Sequence, residues 1–349
     1  MPTLFDPLRL GDLTIPNRII MSPLTRCRAD AGHIPNALMA EYYVQRATAG
    51  LIISEATSVC PMGIGYPNTP GLWSQEQVEG WKKITSAVHK AGGRIFAQLW
   101  HVGRISAPLY LNGSLPEAPS AIKPAGHVSL VRPKQEYVTP RALETSEIPG
   151  LIEFYRKAAM NAQMADFDGV EIHGANGYLL DQFLQDSTNQ RTDDYGGSLQ
   201  NRARLMLEVT DAAASVFGAE LVGMHLSPRC DAHDMGDSDP LATFSYVVRE
   251  LREKGVAFIC AREHQGPDSL GPQLKKIFGG PYIANEGFTK ESAEAALTSG
   301  TADAVAFGQL FIANPDLVVR FAKDAALNTP DHTSFYAEGP AGYTDYPAL

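Results

Sequence analysis

Residues 169–202 read GVEIHGANGYLLDQFLQDSTNQRTDDYGGSLQNR, and this stretch decides the fold. Gly169-Val170-Glu171-Ile172 is short, apolar and β-branched, the pattern of a strand buried on both faces. It runs directly into His173, Asn176 and Tyr178, then into a polar loop over 186–197, before helical periodicity resumes over 199–217. A strand ending in hydrogen-bonding side chains, followed by an irregular loop and a helix, is how an α/β enzyme presents a site.

The same unit recurs on both sides of this stretch. Strand patterns fall at 18–22, 50–54, 94–99, 169–172, 221–224, 257–260, 282–284 and 302–306. Helical patterns separate them at 37–49, 75–90, 148–165, 199–217, 241–253, 290–299 and 317–325, with a weaker one at 273–278. Alternating βα units imply a parallel sheet covered on both faces. An open doubly wound sheet would use the same elements, but eight units in 349 residues favour a closed (β/α)₈ TIM barrel. Residues 3–17 carry Pro and Gly punctuation and read as a cap or hairpin. Residues 106–145 break the rhythm: Pro- and Gly-rich, with Val128-Ser129-Leu130-Val131 inside, they predict a hairpin or lid inserted after the third strand. No composition change marks a boundary, so residues 1–349 are expected to form one domain.

Bulk properties narrow the partners. A formal net charge of −10 with no basic run argues against nucleic acid or an anionic membrane. The first residues, MPTLFDPLRLGDLTIPNR, lack the basic-then-apolar pattern of a signal peptide, and no apolar run nears the ~20 residues of a membrane span. Cys27, Cys60, Cys230 and Cys260 are far apart and form no CxxC pair, which fits reduced thiols in a cytoplasmic protein. Asp231, His233, Asp234, Asp237 and Asp239 crowd one loop, yet a solvated acidic loop is the simpler account, and no metal site is assigned.

In a barrel, function sits just past the carboxyl ends of the strands. Those positions hold Pro23, Leu24 and Thr25; Glu55, Ala56 and Thr57; Gln98, Trp100 and His101; His173, Asn176 and Tyr178; His225, Ser227 and Arg229; Asn285, Glu286 and Gly287; and Gly308 with Gln309. Amides and hydroxyls dominate the early strands, and glycines follow the last two. Glycine N–H groups there are the usual phosphate cradle of this fold. The pattern predicts a phosphorylated ligand with a hydrogen-bonding ring over the early strands.

With these residues in place the chain resembles the old yellow enzyme family of FMN-dependent ene-reductases, near the branch of N-ethylmaleimide, xenobiotic and nitrate-ester reductases. The matching segments run almost end to end: LFDPLRLGDLTIPNRIIMSPLTR, MAEYYVQRATAGLIISEAT, FAQLWHVGRIS, TPRALE, FDGVEIHGANGYLLDQFLQDSTNQRTDDYGGSLQNRARL, DAVAFGQLFIANPDL and GYTDYP. The resemblance implies bound FMN, a transient NADPH or NADH, a small-molecule substrate and a monomer or homodimer. It implies that Thr25 and Gln98 hydrogen-bond the isoalloxazine, with Pro23, Leu24, Ala56, His225 and Asn285 around it. Gly287, Gly308 and Gln309 would cradle the phosphate. His173 and Asn176 would donate to the oxygen of an activated alkene, Tyr178 would deliver the proton, and Tyr66, Trp100 and Tyr343 would line the substrate pocket.

The chemistry agrees with the residue types. An alkene accepts hydride only if charge can move to a conjugated carbonyl or nitro oxygen, and two donors aimed at that oxygen stabilise it. A phenol, with an ordinary pKa of about 10, stays protonated at neutral pH and can supply the proton. Two departures stand out. His225 occupies a position where the family commonly has arginine, and Gln309 another. The first predicts weaker FMN retention or a lower flavin potential, and the second leaves the phosphate to Arg320 or to backbone donors. Two other readings compete: a flavin-binding barrel with little turnover, and a phosphate-binding lyase or isomerase without flavin. The latter wants a lysine or an acid–base carboxylate at a strand end, and Glu55 is the one acid after the early strands.

Overall fold

The computed structural model describes residues 2–230 and 232–349. Eight parallel strands form its centre: β1 Ile19–Met21, β2 Leu51–Ile53, β3 Ile95–Trp100, β4 Gly169–Gly174, β5 Val222–Leu226, β6 Phe258–Arg262, β7 Tyr282–Asn285 and β8 Ala304–Phe307. Each pairs with the next, β8 returns to β1, and the ring closes. A (β/α)₈ barrel results, and the open-sheet alternative is excluded. Helices α1 Ala37–Gln45, α2 Gln75–Lys90, α3 Ile148–Met164, α4 Leu199–Phe217, α5 Pro240–Lys254, α6 Gly271–Phe278, α7 Lys290–Thr298 and α8 Leu317–Ala322 follow strands in turn.

Local chemistry sets these boundaries. The side chain of Ser74 accepts from the Gln77 N–H while Gln77 reaches back, a capping box that starts α2, and Asp239 caps α5. The barrel interior is filled by Ile20, Ile53, Phe96, Phe258, Cys260 and Ile283. Phe96 and Phe258 fit because β4 and β5 carry glycines opposite them. A Cβ on Gly169 would stand 2.3 Å from the Phe96 ring, and one on Gly223 2.2 Å from that of Phe258. The expected amino-terminal hairpin is present, Leu8–Leu10 pairing antiparallel with Leu13–Ile15. Its Leu10 and Ile15 join the same cluster and plug the end of the barrel opposite the site.

The insertion differs from its expectation. No strand forms over 128–131; the hairpin shrinks to a single antiparallel bridge, His127 to Glu136. The regular pairing lies at its ends, where Glu117–Ala118 runs parallel to Arg141–Ala142. Val128 and Tyr137 are instead buried against Trp100, Tyr178 and Ala56, so apolar contact with the barrel mouth holds the insertion in place.

Candidate active site

A cavity of about 1310 Å³ opens at the carboxyl ends of the strands. Ordinary small-molecule sites hold ~300–1,000 Å³, so there is room for a tricyclic cofactor and a second molecule. Pro23, Leu24, Thr25, Tyr66, His173, Asn176, Tyr178, His225, Asn285, Gly287, Gly308 and Gln309 all line it. Strand ends that are far apart in sequence are thus brought to one space, as the barrel reading requires.

On the β4 side the three side chains of the opening motif face the cavity together. The His173 ring lies 5.1 Å from that of Tyr178, edge to face, and 5.6 Å from that of His225, stacked. Burial, reinforced by His225 and Arg262, pushes His173 well below its ordinary pKa, leaving a neutral imidazole with one N–H to give. Burial and the neighbouring Tyr66 raise the Tyr178 phenol well above its ordinary value. Its hydroxyl is 2.7 Å from that of Tyr66.

Asn176 is held from several sides. Its φ of 58° lies in the left-handed region, which asparagine tolerates better than most residues. The N–H donates to Ser227 Oγ at 2.7 Å, the carbonyl oxygen meets His233 Nδ1 at 2.7 Å, and Oδ1 accepts from Arg262 Nη1 at 3.0 Å. Ser227 is anchored in turn by the buried Asp181, which also accepts from the Gly177 N–H at 2.8 Å.

Beneath the cavity floor, Gln98 Nε2 donates to Glu171 Oε2 at 2.7 Å and lies 3.3 Å from His225 Nδ1. Gln98 therefore sits below the lining rather than in it. Glu171, His225 and Cys260 bring three ligand-type atoms within 4.8 Å of one another. Burial, with Glu171 nearby, raises the Cys260 thiol well above its ordinary value, and the three buried groups, with Gln98 on Glu171, form the floor of the cavity. His173 Nδ1 and His225 Nε2 are buried without a partner. Orphaned polar atoms of this kind ask for a ligand, and the hydrogen-bonding edge of a flavin ring suits them.

Across the cavity, β7 and β8 end in segments that add glycine backbone to the lining. Glu286 and Gly287 take φ of 94° and 74°, and a Cβ at Gly287 would project into open space. The N–H groups of Gly287 and Gly308 have no acceptor among the described residues. Arg320 faces the same space; Asp316, Ala326 and Pro347 take three of its five N–H groups, which leaves one hydrogen on each terminal nitrogen. The backbone N–H groups of Gly287 and Gly308 and the remaining donors of Arg320 together suit a phosphate. The residues fit FMN.

Besides Gln98, three expected residues lie outside the lining. Tyr343 is fully buried, stacked on Tyr42 at 4.1 Å with the Arg26 and Arg28 guanidinium groups over its ring, and does not line the cavity. Phe335 and Tyr336, further up the same carboxyl-terminal segment, line it instead. Ala56 and Trp100 pack behind the lining; Trp100 supports Tyr66 at 5.5 Å and Tyr178 at 5.1 Å between ring centres. Burial lowers His101 to about 3, and its Nδ1 accepts from the Gly103 N–H, a structural role. In the acidic loop Asp239 caps α5, Asp237 pairs with Arg202 and His233 holds Asn176; Asp231 lies outside the described residues. The strand-end positions named from sequence include Glu286 but not Arg262, its partner through two contacts of 3.1 Å.

Comparison with known proteins agrees with this geometry. Residues 3–328 match the NADH:flavin oxidoreductase / NADH oxidase family. The chain belongs to the old yellow enzyme family. It is 45% identical to 12-oxophytodienoate reductase 1 of Oryza sativa subsp. japonica over 99% of its own length and 93% of that protein's. The structure of the old yellow enzyme homologue from Zymomonas mobilis superposes with a TM-score of 0.97 at 47% identity, covering all of both chains. Morphinone reductase in complex with tetrahydroNAD gives 0.97 at 49% identity, over 100% of this chain and 98% of that one. As a member of this family the protein is an oxidoreductase that works with flavin and nicotinamide. Among the described residues no helix is long and apolar enough to cross a membrane.

Proposed function

We propose that this old yellow enzyme family member reduces activated carbon–carbon double bonds: α,β-unsaturated carbonyls, maleimides and nitroalkenes, with nitrate esters and nitroaromatics as further acceptors. The observation that carries the reading is the shared wall of His173, Asn176 and Tyr178 on a cavity large enough for FMN and a substrate. When bound, FMN recharged by NADPH or NADH supplies a hydride to the β-carbon. His173 and Asn176 hold the carbonyl or nitro oxygen and stabilise the charge that gathers there. Tyr178 gives its proton to the α-carbon, so that hydride and proton together saturate the bond. Its raised pKa keeps the proton available throughout the neutral range, and Tyr66, 2.7 Å away, stands where it can return one. Thr25 and His225 serve the ring, with Gln98 beneath them holding the floor, and Gly287, Gly308 and Gln309 serve the phosphate.

The lyase or isomerase alternative loses its early-strand acid, and Glu286, which lines the cavity, is held in a fork by Arg262. Glu55 is buried, raised to about 7 by that burial, and accepts from the Arg26 N–H and the Tyr43 hydroxyl outside the cavity. Lys290, which does line it, is paired with Asp324. A visible spectrum of the purified protein tests the proposal. Expected are flavin absorbance near ~450 nm, bleaching by NADPH or NADH without oxygen, and return of colour on adding 2-cyclohexenone. Bleaching without return in the presence of the enone, a maleimide or a nitroalkene would leave a flavin store and sink the reading.

A further inference from the structure

The side-chain amide of asparagine can present either its oxygen or its NH₂ to a ligand, and only the NH₂ can stabilise a developing oxyanion. Something must select the useful face. Arg262, the last residue of β6, does this without ambiguity, because a guanidinium has donors alone. Its Nη1 stands 3.0 Å from Asn176 Oδ1, so the oxygen must turn toward Arg262. The Asn176 N–H and carbonyl are bound to Ser227 and His233, which leaves the two Nδ2 hydrogens as the donors on the cavity side.

We propose that Arg262 is a positioning residue that fixes the Asn176 amide with its donor face toward the substrate oxygen. The inference rests on the reading given above. Arg262 is itself fixed, since Nε and Nη2 fork onto both carboxylate oxygens of Glu286 at 3.1 Å each. The fork consumes one edge of the guanidinium and aims Nη1 across the mouth, linking the ends of β4, β6 and β7. Two effects follow. The wrong amide face is excluded, where a freely turning amide would show it about half the time. A cation on Oδ1 also pulls charge from the amide and strengthens its N–H groups as donors.

The test is a double-mutant cycle in FMN-loaded protein. Variants Arg262→Met, Asn176→Ala and the pair are photoreduced, then reoxidised by 2-cyclohexenone or, separately, by ferricyanide, which needs no oxyanion donor. Arg262→Met is expected to slow the enone reaction about 5- to 20-fold, below the ~10²–10³ for losing a donor outright. Ferricyanide reoxidation should stay the same, and in the Asn176→Ala background the Arg262 substitution should cost less than about twofold. An equal loss in both backgrounds would make Arg262 an independent electrostatic contact and overturn the proposal, as would no loss at all. Should Arg262→Met fail to fold, Arg262→Lys in the same cycle, keeping the charge without the fork, should show a smaller loss that also vanishes without Asn176. Binding of 4-chlorophenolate, whose oxygen imitates an enolate, runs in parallel. Its Kd should rise with the same dependence on Asn176, and that arm decides the role of Arg262 even if the wild-type protein reduces no alkene.

Discussion

The two walls of the cavity are built from different materials. On the β4 side every hydrogen-bonding atom of Asn176 except its Nδ2 group is already committed, and Tyr178 and His173 are buried among aromatic rings. On the β7–β8 side the N–H groups of the exposed Gly287 and of Gly308 have no acceptor among the described residues, with Lys290, Gln309 and Arg320 beside them. The contrast suits what each wall would bind under the function proposed above. A developing oxyanion needs one or two donors placed to a fraction of an ångström, and only a fully satisfied network fixes side chains that well. A phosphate dianion accepts from any cluster of N–H groups, so glycine backbone and nearby cationic side chains suit it without exact placement.

The largest effect should come from breaking the first wall. Tyr178→Phe keeps the ring and its contacts with Trp100 while removing the proton and the hydrogen bond to Tyr66. Enone reduction is expected to fall about 10²–10⁴-fold, the range for a lost general acid, while FMN affinity, read by equilibrium dialysis, stays within about twofold. A comparable drop in FMN affinity would mean that the walls are not separate.

Next comes the stability that the first wall gives up. Asp181, which anchors the Asn176 loop through Ser227 and Gly177, is fully buried, and that burial raises its pKa from 3.8 to about 6. A carboxyl raised in the folded state adds stability that is complete below its unfolded pKa and is lost as pH rises through the folded one. The window here is about pH 4 to 6. Asp181→Asn should therefore gain in Tm relative to the parent between pH 4 and pH 7, with a ceiling near about 3 kcal/mol for two pKa units. A Tm difference that is flat with pH would remove Asp181 as a titrating anchor.

The second wall is probed by Gly287→Val. A β-branched residue at φ 74° costs about 1–3 kcal/mol in the backbone, and FMN affinity should weaken about tenfold or more. The enone rate per bound flavin should hold, the mirror image of Tyr178→Phe.

Legibility in the sequence divides along the same line. The eight strands, the hairpin and the cluster of His173, Asn176 and Tyr178 could be read because strand periodicity and side-chain chemistry are both written in residue types. Arg262 was missed for a simple reason: the sixth strand was read as ending at Cys260, whereas it runs to Arg262. That two-residue shortfall hid the end position, where a search for strand-end residues would have found a cation. Tyr343 was misplaced because a motif fixes which residues are present and not which way a ring turns. The stacking of Tyr42, Arg26 and Arg28 that claims it is a tertiary contact between segments about 300 residues apart. The insertion failed as a hairpin because β-branched residues at 128 and 131 signal apolar burial as well as a strand, and here burial won.

The smallest effect lies where the walls meet, at His225. The expectation from sequence was that replacing a fixed arginine charge with imidazole weakens FMN retention or lowers the flavin potential. The structure adds Glu171, whose buried carboxylate lies 3.5 Å from His225 Nδ1 and takes a hydrogen bond from Gln98. An arginine introduced by His225→Arg would meet that carboxylate at once, and a paired charge acts less strongly on the ring than a lone one. The expected rise in midpoint potential is thus modest, about 30 mV, equivalent to a tenfold change for a two-electron couple. Combining His225→Arg with Glu171→Gln frees the charge and should enlarge the shift. Potentials measured by dye equilibration check both steps. If the single variant moves neither the potential nor the FMN dissociation constant, and the double variant adds nothing, the floor of the site does not tune the cofactor, and the β4 wall must do so alone.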